Sequence, residues 1–286
     1  MSPKKDQPLM GGDHLRSPVA NFSGSDYDDN SPEYKSKVNF IRNLIGATGL
    51  SAKGELNNPL FGMLYGSQKP GRDIDIFLLF GTPVKKNIVR GQFDLNQIEY
   101  NDFLFRLNNF DIEYTEPVLT GDYFFGDIEI LRRAKQFLDT AKPTEENLDY
   151  LGKRALETYL QAKVLYSQGQ NELFDKIVNE GENFKDLTAK ILNGKFFDIS
   201  SPIISKALSL LTFTQSYLAS RKRYFLGEGN VTLRGILENP ETPYDFELRS
   251  LMKYFKSTNE ELKLEIPEVD QYFKNTKSLL IRSVSN

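Results

Sequence analysis

The front half of the chain carries short apolar runs bounded by turn residues. Residues 60–65 and 74–80 are almost continuously apolar, and a glycine follows each run. Runs of this length between turn residues are typical of buried strands. Residues 92–98 instead alternate between apolar and polar positions, which places Asp94 and Asn96 on one face. The pattern therefore predicts three strands.

Segments between and after these strands have other periodicities. Residues 100–109 and 129–138 fit short helices, and residues 117–121 fit a short strand with a turn. Before the first strand, Ser31 and Pro32 form a helix-start signal, because serine caps the first turn and proline is tolerated within it. The front half is therefore predicted to mix helices and strands.

Beyond residue 143 the strand pattern disappears. Apolar residues then recur every three or four positions, which predicts an amphipathic helix that ends near Gly169. Further helices are predicted at residues 171–180, 183–193, 202–222, 244–256 and 268–280. We therefore predict an α+β fold in which a mixed sheet flanked by helices is followed by an all-helical domain.

These changes in pattern predict three regions. Residues 1–31 are polar and rich in Ser, Pro and Gly, which is typical of a flexible tail. Residues 32–142 form the predicted mixed domain and residues 147–286 the predicted helical domain. Pro143 lies at the predicted boundary.

Two aspartates lie at the start of the second apolar run, Asp73 directly before it and Asp75 within it. Asp73 and Asp75 are two positions apart, so on a strand they project from the same face while Ile74 and Ile76 point to the other. Adjacent carboxylates are costly unless a cation neutralises them. The Gly66-Ser67 pair just upstream predicts a tight turn. The combination indicates a divalent metal site beside a turn that could handle phosphate.

Composition narrows the chemistry further. The chain has no cysteine and a single histidine in its polar N-terminal region. These counts exclude thiolate sites and most Ser-His-Asp hydrolases, so the chemistry falls on carboxylates, which favour Mg²⁺ or Mn²⁺. The net charge is −3, and residues 151–286 carry only a small positive excess, too little for bulk nucleic-acid binding. Without a long apolar segment, we expect no membrane contact and a cytoplasmic location.

The order of these motifs resembles the nucleotidyltransferase superfamily of the polymerase β type. The chain reads LYGS, then QKPGR, DIDIFLLF and QFDLNQI, and the resemblance covers roughly residues 32–140. It implies a nucleotidyltransferase-type mixed sheet in which Asp73, Asp75 and Asp94 are catalytic and hold two Mg²⁺ or Mn²⁺ ions. It also implies that the helical domain binds the acceptor.

The resemblance assigns nucleotide binding to the turn between the first two strands. Gly66 would let the backbone approach a triphosphate, and Ser67 would offer its hydroxyl and amide. Lys69 and Arg72 would add charged contacts. Only five residues separate Ser67 from Asp73, which is short for this family. No Walker A sequence is present, which disfavours a P-loop NTPase.

The implied activity is transfer of an NMP from an NTP to an acceptor hydroxyl, with release of pyrophosphate. The acceptor is open between RNA such as tRNA, a protein and a small molecule. A non-catalytic nucleotide-binding or regulatory module of a toxin–antitoxin or defence pair is the alternative.

Several residues keep alternative interpretations. The aspartate pair could be solvated on an edge strand, and Glu99 or Glu113 could take the place of Asp94. The cluster formed by residues 221–223 (Arg-Lys-Arg) either complements a helix dipole or contacts substrate phosphate or RNA.

Overall fold

The computed structural model describes residues 59–65, 74–84, 88–90, 93–179, 202–256 and 266–284. The chain divides into two compact units, residues 1–143 and residues 144–286. The predicted tail, the helix predicted from Ser31 and the helix predicted at residues 183–193 lie outside the described residues.

The first unit is built on a five-stranded mixed sheet. Its strands are β1 (Pro59–Tyr65), β2 (Ile74–Phe80), β3 (Ile88–Arg90), β4 (Phe93–Glu99) and β5 (Asp122–Gly126). Their order across the sheet is β3-β4-β2-β1-β5. Its described helices are α1 (Tyr100–Asn108), α2 (Ile112–Thr120) and α3 (Ile128–Thr140). Strands β2 and β4 run parallel, and the other neighbouring strands are antiparallel.

Strand β2 lies in the middle of this sheet and carries its core. The side chains from Ile76 to Phe80 are at most 1% exposed, so both faces of the strand are covered. On one face the Phe77 ring lies 5.6 Å from Phe103 of α1 and 6.3 Å from Tyr114 of α2, measured between ring centroids. Burial on both faces explains why this run is apolar throughout rather than alternating.

The strand predicted at residues 117–121 is wrong, because residues 117–120 are the last turn of α2 and Gly121 is its C-cap. Asp111 is the N-cap of this helix, and its carboxylate accepts a hydrogen bond from the Glu113 amide. The helix tolerates Pro117 near its end. A Cβ on Gly121 would lie 2.4 Å from the Pro117 carbonyl oxygen and 3.2 Å from that of Leu64. Glycine is therefore required where the helix ends against β1, and the strand begins one residue later.

The second unit is helical throughout its described part. Its helices are α4 (Glu145–Asn179), α5 (Pro202–Phe225), α6 (Leu233–Glu238), α7 (Pro243–Lys256) and α8 (Ile266–Val284). Helix α4 continues ten residues past Gly169, where the sequence predicted its end. A Cβ at Gly169 would lie 2.6 Å from the Ile204 side chain, so this glycine allows close packing against α5 instead of ending the helix.

Buried polar pairs join the helices of the second unit. The hydroxyls of Thr158 and Thr214 are 2.9 Å apart and link α4 to α5. The Gln215 amide donates to Thr276 at 2.8 Å and links α5 to α8. Because a mispaired buried polar group is costly, such pairs favour a single arrangement of the helices.

The prediction of an α+β fold with a mixed sheet, flanking helices and a following helical region is confirmed. Within the described residues, none of the helices combines the length and apolar character needed to cross a bilayer.

Candidate functional site

Asp75 and Asp94 are direct neighbours on the two parallel strands at the centre of the sheet. Asp75 of β2 pairs in register with Asp94 of β4. Residues paired in register on adjacent strands project from the same face, and adjacent strands are about 4.8 Å apart. Both side chains are partly buried. Two like charges therefore face each other at the start of the two strands.

Strand β2 is not an edge strand, because β4 pairs along one side and β1 along the other. This excludes the interpretation of Asp75 as a solvated residue on a sheet edge. Directly opposed like charges destabilise a sheet. The donor set consists of hard carboxylate oxygens, which are the ligands that Mg²⁺ and Mn²⁺ prefer. The pair thus supplies two oxygen donors of the type that such cations prefer.

Tyr65 extends this pair to a third strand. As the last residue of β1, it pairs with Asp75 in register on the side opposite to Asp94. A phenol and two carboxylates therefore stand side by side on one face, and we call them the Tyr65–Asp75–Asp94 row.

The surroundings of Tyr65 change its acidity. Burial raises the pKa of the Tyr65 hydroxyl well above its usual value, and the negative charge of Asp75 raises it further. Asp94 and Glu113 add smaller effects in the same direction, whereas a hydrogen bond with Asn96 lowers this pKa. The hydroxyl is therefore neutral at physiological pH and lies within electrostatic reach of three carboxylates.

Helix α2 brings Glu113 to this face. Its cap, Asp111, is fully buried, accepts a hydrogen bond from the Glu113 amide at 3.2 Å, and pairs with Arg106 of α1 at 3.1 Å. The next residue, Tyr114, packs on Phe77, which projects from the same face of β2 as Asp75. The cap and this ring contact therefore fix the start of α2 beside the row.

Five of the predicted site residues lie outside the described residues. They are Gly66, Ser67, Lys69, Arg72 and Asp73. The structure thus brings together two of the three predicted carboxylates, Asp75 and Asp94. Within the described part of the chain, no group of three or more His, Cys, Asp or Glu side chains is arranged to hold a metal ion.

Sequence reasoning did not assign a role to Tyr65 or Asn96. For Asn96 a signal was present, because the alternation of β4 places it on the face of Asp94. For Tyr65 the sequence held no comparable signal, because its pairing with Asp75 depends on the register between β1 and β2.

The arginines of the cluster at residues 221–223 make contacts inside the helical unit. Arg221 donates to the backbone oxygens of Leu148 and Ser283, both at 3.0 Å. Arg223 is 4% exposed and pairs with Asp245 at 2.8 Å. Both arginines therefore hold helices together, and the cluster does not present three cations to an external phosphate chain.

Comparisons with known proteins do not assign a function to this site. No protein-family model matches the sequence, and no curated protein matches it. Among solved structures, a nucleotidyltransferase-like protein from Exiguobacterium sibiricum 255-15 aligns with 85% of this chain and 74% of its own length, at 12% identity and a TM-score of 0.30. A TM-score this low does not assign an activity.

Proposed function

We propose that the chain is a metal-dependent nucleotidyltransferase, which moves an NMP from an NTP to an acceptor hydroxyl and releases pyrophosphate. The observation that carries this proposal is the in-register pairing of Asp75 with Asp94 on the central strands. The order of motifs around these residues, from LYGS through DIDIFLLF to QFDLNQI, supports the same activity.

In the proposed reaction the acceptor oxygen bonds to the α-phosphorus of the NTP. The bond from that phosphorus to the oxygen bridging to the β-phosphate breaks, and pyrophosphate leaves with the electron pair. The proton of the acceptor hydroxyl passes to the carboxylate of Asp94. Phosphoryl transfer of this kind needs positioning and charge neutralisation more than covalent help from the protein.

Each part of the site has a proposed task. Asp75 and Asp94, together with Asp73, would hold two Mg²⁺ or Mn²⁺ ions, which neutralise charge on the phosphates when bound. Gly66 and Ser67 would cradle the triphosphate. Lys69 and Arg72 would contribute charge-assisted contacts to the same phosphates. The acceptor, whether RNA such as tRNA, a protein or a small molecule, would be chosen by residues 147–286.

Release of pyrophosphate from each NTP in the presence of Mg²⁺, with and without total RNA, tests this proposal. We expect Asp75→Asn and Asp94→Asn to lower the rate by about 100-fold or more, the range for losing an electrostatic contact to the transition state. The control is Asp122→Asn, since Asp122 is an exposed aspartate at the start of β5 in the same sheet.

The outcomes separate the two functional hypotheses. Pyrophosphate release that depends on Asp75 and Asp94 but not on Asp122 supports the transferase. Binding of an NTP without any release, with all acceptor classes supplied, would instead favour the non-catalytic nucleotide-binding module. Equal rates for all three variants and the wild-type chain would remove these carboxylates from the mechanism.

A further inference from the structure

The helical unit contains a cavity of about 270 Å³, which is lined by the end of α5, by α6 and by the segments on either side of α6. Two buried apolar residues, Val231 and Ile236, form part of its wall. The polar residues of the lining include Arg223, Glu228, Thr232, Asn239 and Glu241. A concave surface that combines apolar walls with a few polar groups is the usual form of a small-molecule site, and the volume fits a ligand smaller than a drug.

The charges around this cavity are mostly negative. Arg223 is the cation among the lining residues, and the carboxylates of Glu228, Glu241 and Asp245 all lie within 3.5 Å of its guanidinium. One positive charge against three negative charges leaves an excess of two negative charges. The side chains of Glu228 and Glu241 are 41% and 69% exposed, so a ligand can reach both from solvent. The cavity therefore favours a cation over a phosphate.

Arg223 also has a donor without a partner. The residue is 4% exposed, and its two terminal nitrogens donate to Glu228, to the backbone oxygen of Asn239 and to Asp245. Its Nε is buried and has no hydrogen-bond partner. Because buried donors are almost always satisfied, an unsatisfied one in a residue that lines a cavity points to a bound molecule with an oxygen acceptor.

A metal ion does not fit these carboxylates, because within the described residues no group of three or more acidic or other ligating side chains is arranged to hold one. We propose that this cavity binds a small amine that also carries a hydroxyl or carbonyl oxygen. The ammonium donates to Glu228 and Glu241, and the oxygen accepts from Nε of Arg223. The proposal does not depend on the proposed transferase activity.

Three matched cyclohexane compounds test the site. In this set, trans-4-aminocyclohexanol carries both groups, trans-1,4-cyclohexanediol lacks the amine and cyclohexylamine lacks the hydroxyl. Methyl NMR signals of Val231 and Ile236 in the full chain report occupancy of the cavity, since both residues line it. We expect the amino alcohol to shift these signals saturably and with a lower Kd than cyclohexylamine, whereas the diol should leave them unchanged.

Glu241→Gln tests the contact to the ammonium. The Glu241 carboxylate is exposed and its contact with Arg223 is long, at 3.5 Å, so this variant should fold as the wild-type chain does. We expect it to raise the Kd for the amino alcohol about 5-fold, the upper range for an exposed ion pair. The matched control is Glu238→Gln, since Glu238 of α6 pairs with Arg234 at 2.8 Å and is not part of the lining. The control should bind as wild type.

Each result decides one part of the proposal. Absence of a saturable shift with the amino alcohol would overturn the site. Equal affinity for the diol would rule out recognition of the amine, and equal affinity for cyclohexylamine would rule out the contact to Arg223. The same Kd in Glu241→Gln and Glu238→Gln would show that Glu241 does not hold the ammonium. None of these measurements uses pyrophosphate release, so a failure here leaves the proposed transferase standing.

Discussion

At the scale of single residues, the Asp75–Asp94 pair is held together by the backbone at an electrostatic cost. The two carboxylates face each other because β2 and β4 are in register, and neither strand can shift without moving an apolar core side chain to the wrong face. The protein thus keeps two like charges adjacent at the start of its central strands. Such an arrangement is expected where a cation offsets the repulsion.

We therefore expect Asp75→Asn and Asp94→Asn to leave the metal-free protein at least as stable as wild type. Removing one of two opposed like charges relieves a repulsion of at most about 1 kcal/mol. Both variants should also lose any rise in melting temperature that Mg²⁺ gives the wild-type chain. Thermal unfolding in EDTA and in Mg²⁺ measures both effects. A marked loss of stability in EDTA would show that the pair has a structural role.

The buried side chain of Tyr100 makes the stability of the protein depend on pH. Its side chain is 3% exposed, and burial raises the pKa of its hydroxyl to about 12. The positive charge of Arg133 opposes this rise, and Asp127 adds to it. The pKa of Tyr100 is higher in the folded protein than in the unfolded chain, where it is near 10. The contribution of the neutral hydroxyl to the free energy of unfolding is therefore complete below pH 10 and is lost as the pH rises toward 12.

Tyr100→Phe should therefore flatten the loss of stability at alkaline pH. A difference of about 2 pKa units corresponds to about 2–3 kcal/mol, so the free energy of unfolding should fall by about that much less in the variant between pH 9 and pH 12. Urea denaturation of both proteins across this range provides the measurement. Identical pH slopes would show that Tyr100 ionises as easily in the folded protein as in the unfolded one.

At the scale of elements, long patterns were easier to interpret than short ones. The run at residues 74–80 predicted β2, and the alternation at residues 92–98 predicted β4 to within one residue. Strand β3 and helix α6 span three and six residues, which is too short to show a period. The side of β4 that carries Asp94 follows from its alternation, whereas the register that brings Tyr65 beside Asp75 is a tertiary property.

The role of a glycine within a helix also depends on tertiary contacts, as two glycines of α4 show. The sequence predicts a helix end near Gly169 because glycine is a poor helix former, but Gly169 lies inside α4. The cause is tertiary, since the Ile204 side chain occupies the space of a Cβ. Gly152 lies in the same helix, and the nearest atom to a Cβ there is Nε of Arg221 at 3.6 Å, an ordinary contact.

We therefore expect opposite effects from the same substitution at these two glycines. Gly152→Ala should raise the free energy of unfolding by up to about 1 kcal/mol, the gain in helix propensity. Gly169→Ala should lower it, because the overpacking cost of about 1–3 kcal/mol exceeds that gain. Urea denaturation of the two variants tests the pair. A gain at Gly169 would show that Ile204 moves away without cost.

At the scale of the whole molecule, the two units have different kinds of polar residues at their centres. The first unit carries the Tyr65–Asp75–Asp94 row on its sheet. The second unit has an ion-pair network around the buried Arg223, which contacts Glu228 at 2.7 Å, Asp245 at 2.8 Å and Glu241 at 3.5 Å. Asp245 is fully buried and also accepts hydrogen bonds from two backbone amides. The pair of Arg223 and Asp245 therefore joins α5 to α7 inside the helical unit.

Arg223→Met should therefore destabilise the helical unit and leave metal binding unchanged. Removing one partner of a buried ion pair leaves the charge of Asp245 buried and unpaired, at a cost of about 3 kcal/mol.

Lys222→Ala is the control, because the Lys222 ammonium lies over the Phe225 ring at 5.3 Å and takes no part in the network. Urea unfolding followed by circular dichroism should show the loss in Arg223→Met alone, and Mn²⁺ affinity at low urea should match wild type in both. Weaker Mn²⁺ binding in Arg223→Met would show that the acidic site depends on the helical unit, contrary to a division of labour between nucleotide chemistry in the first unit and acceptor choice in the second.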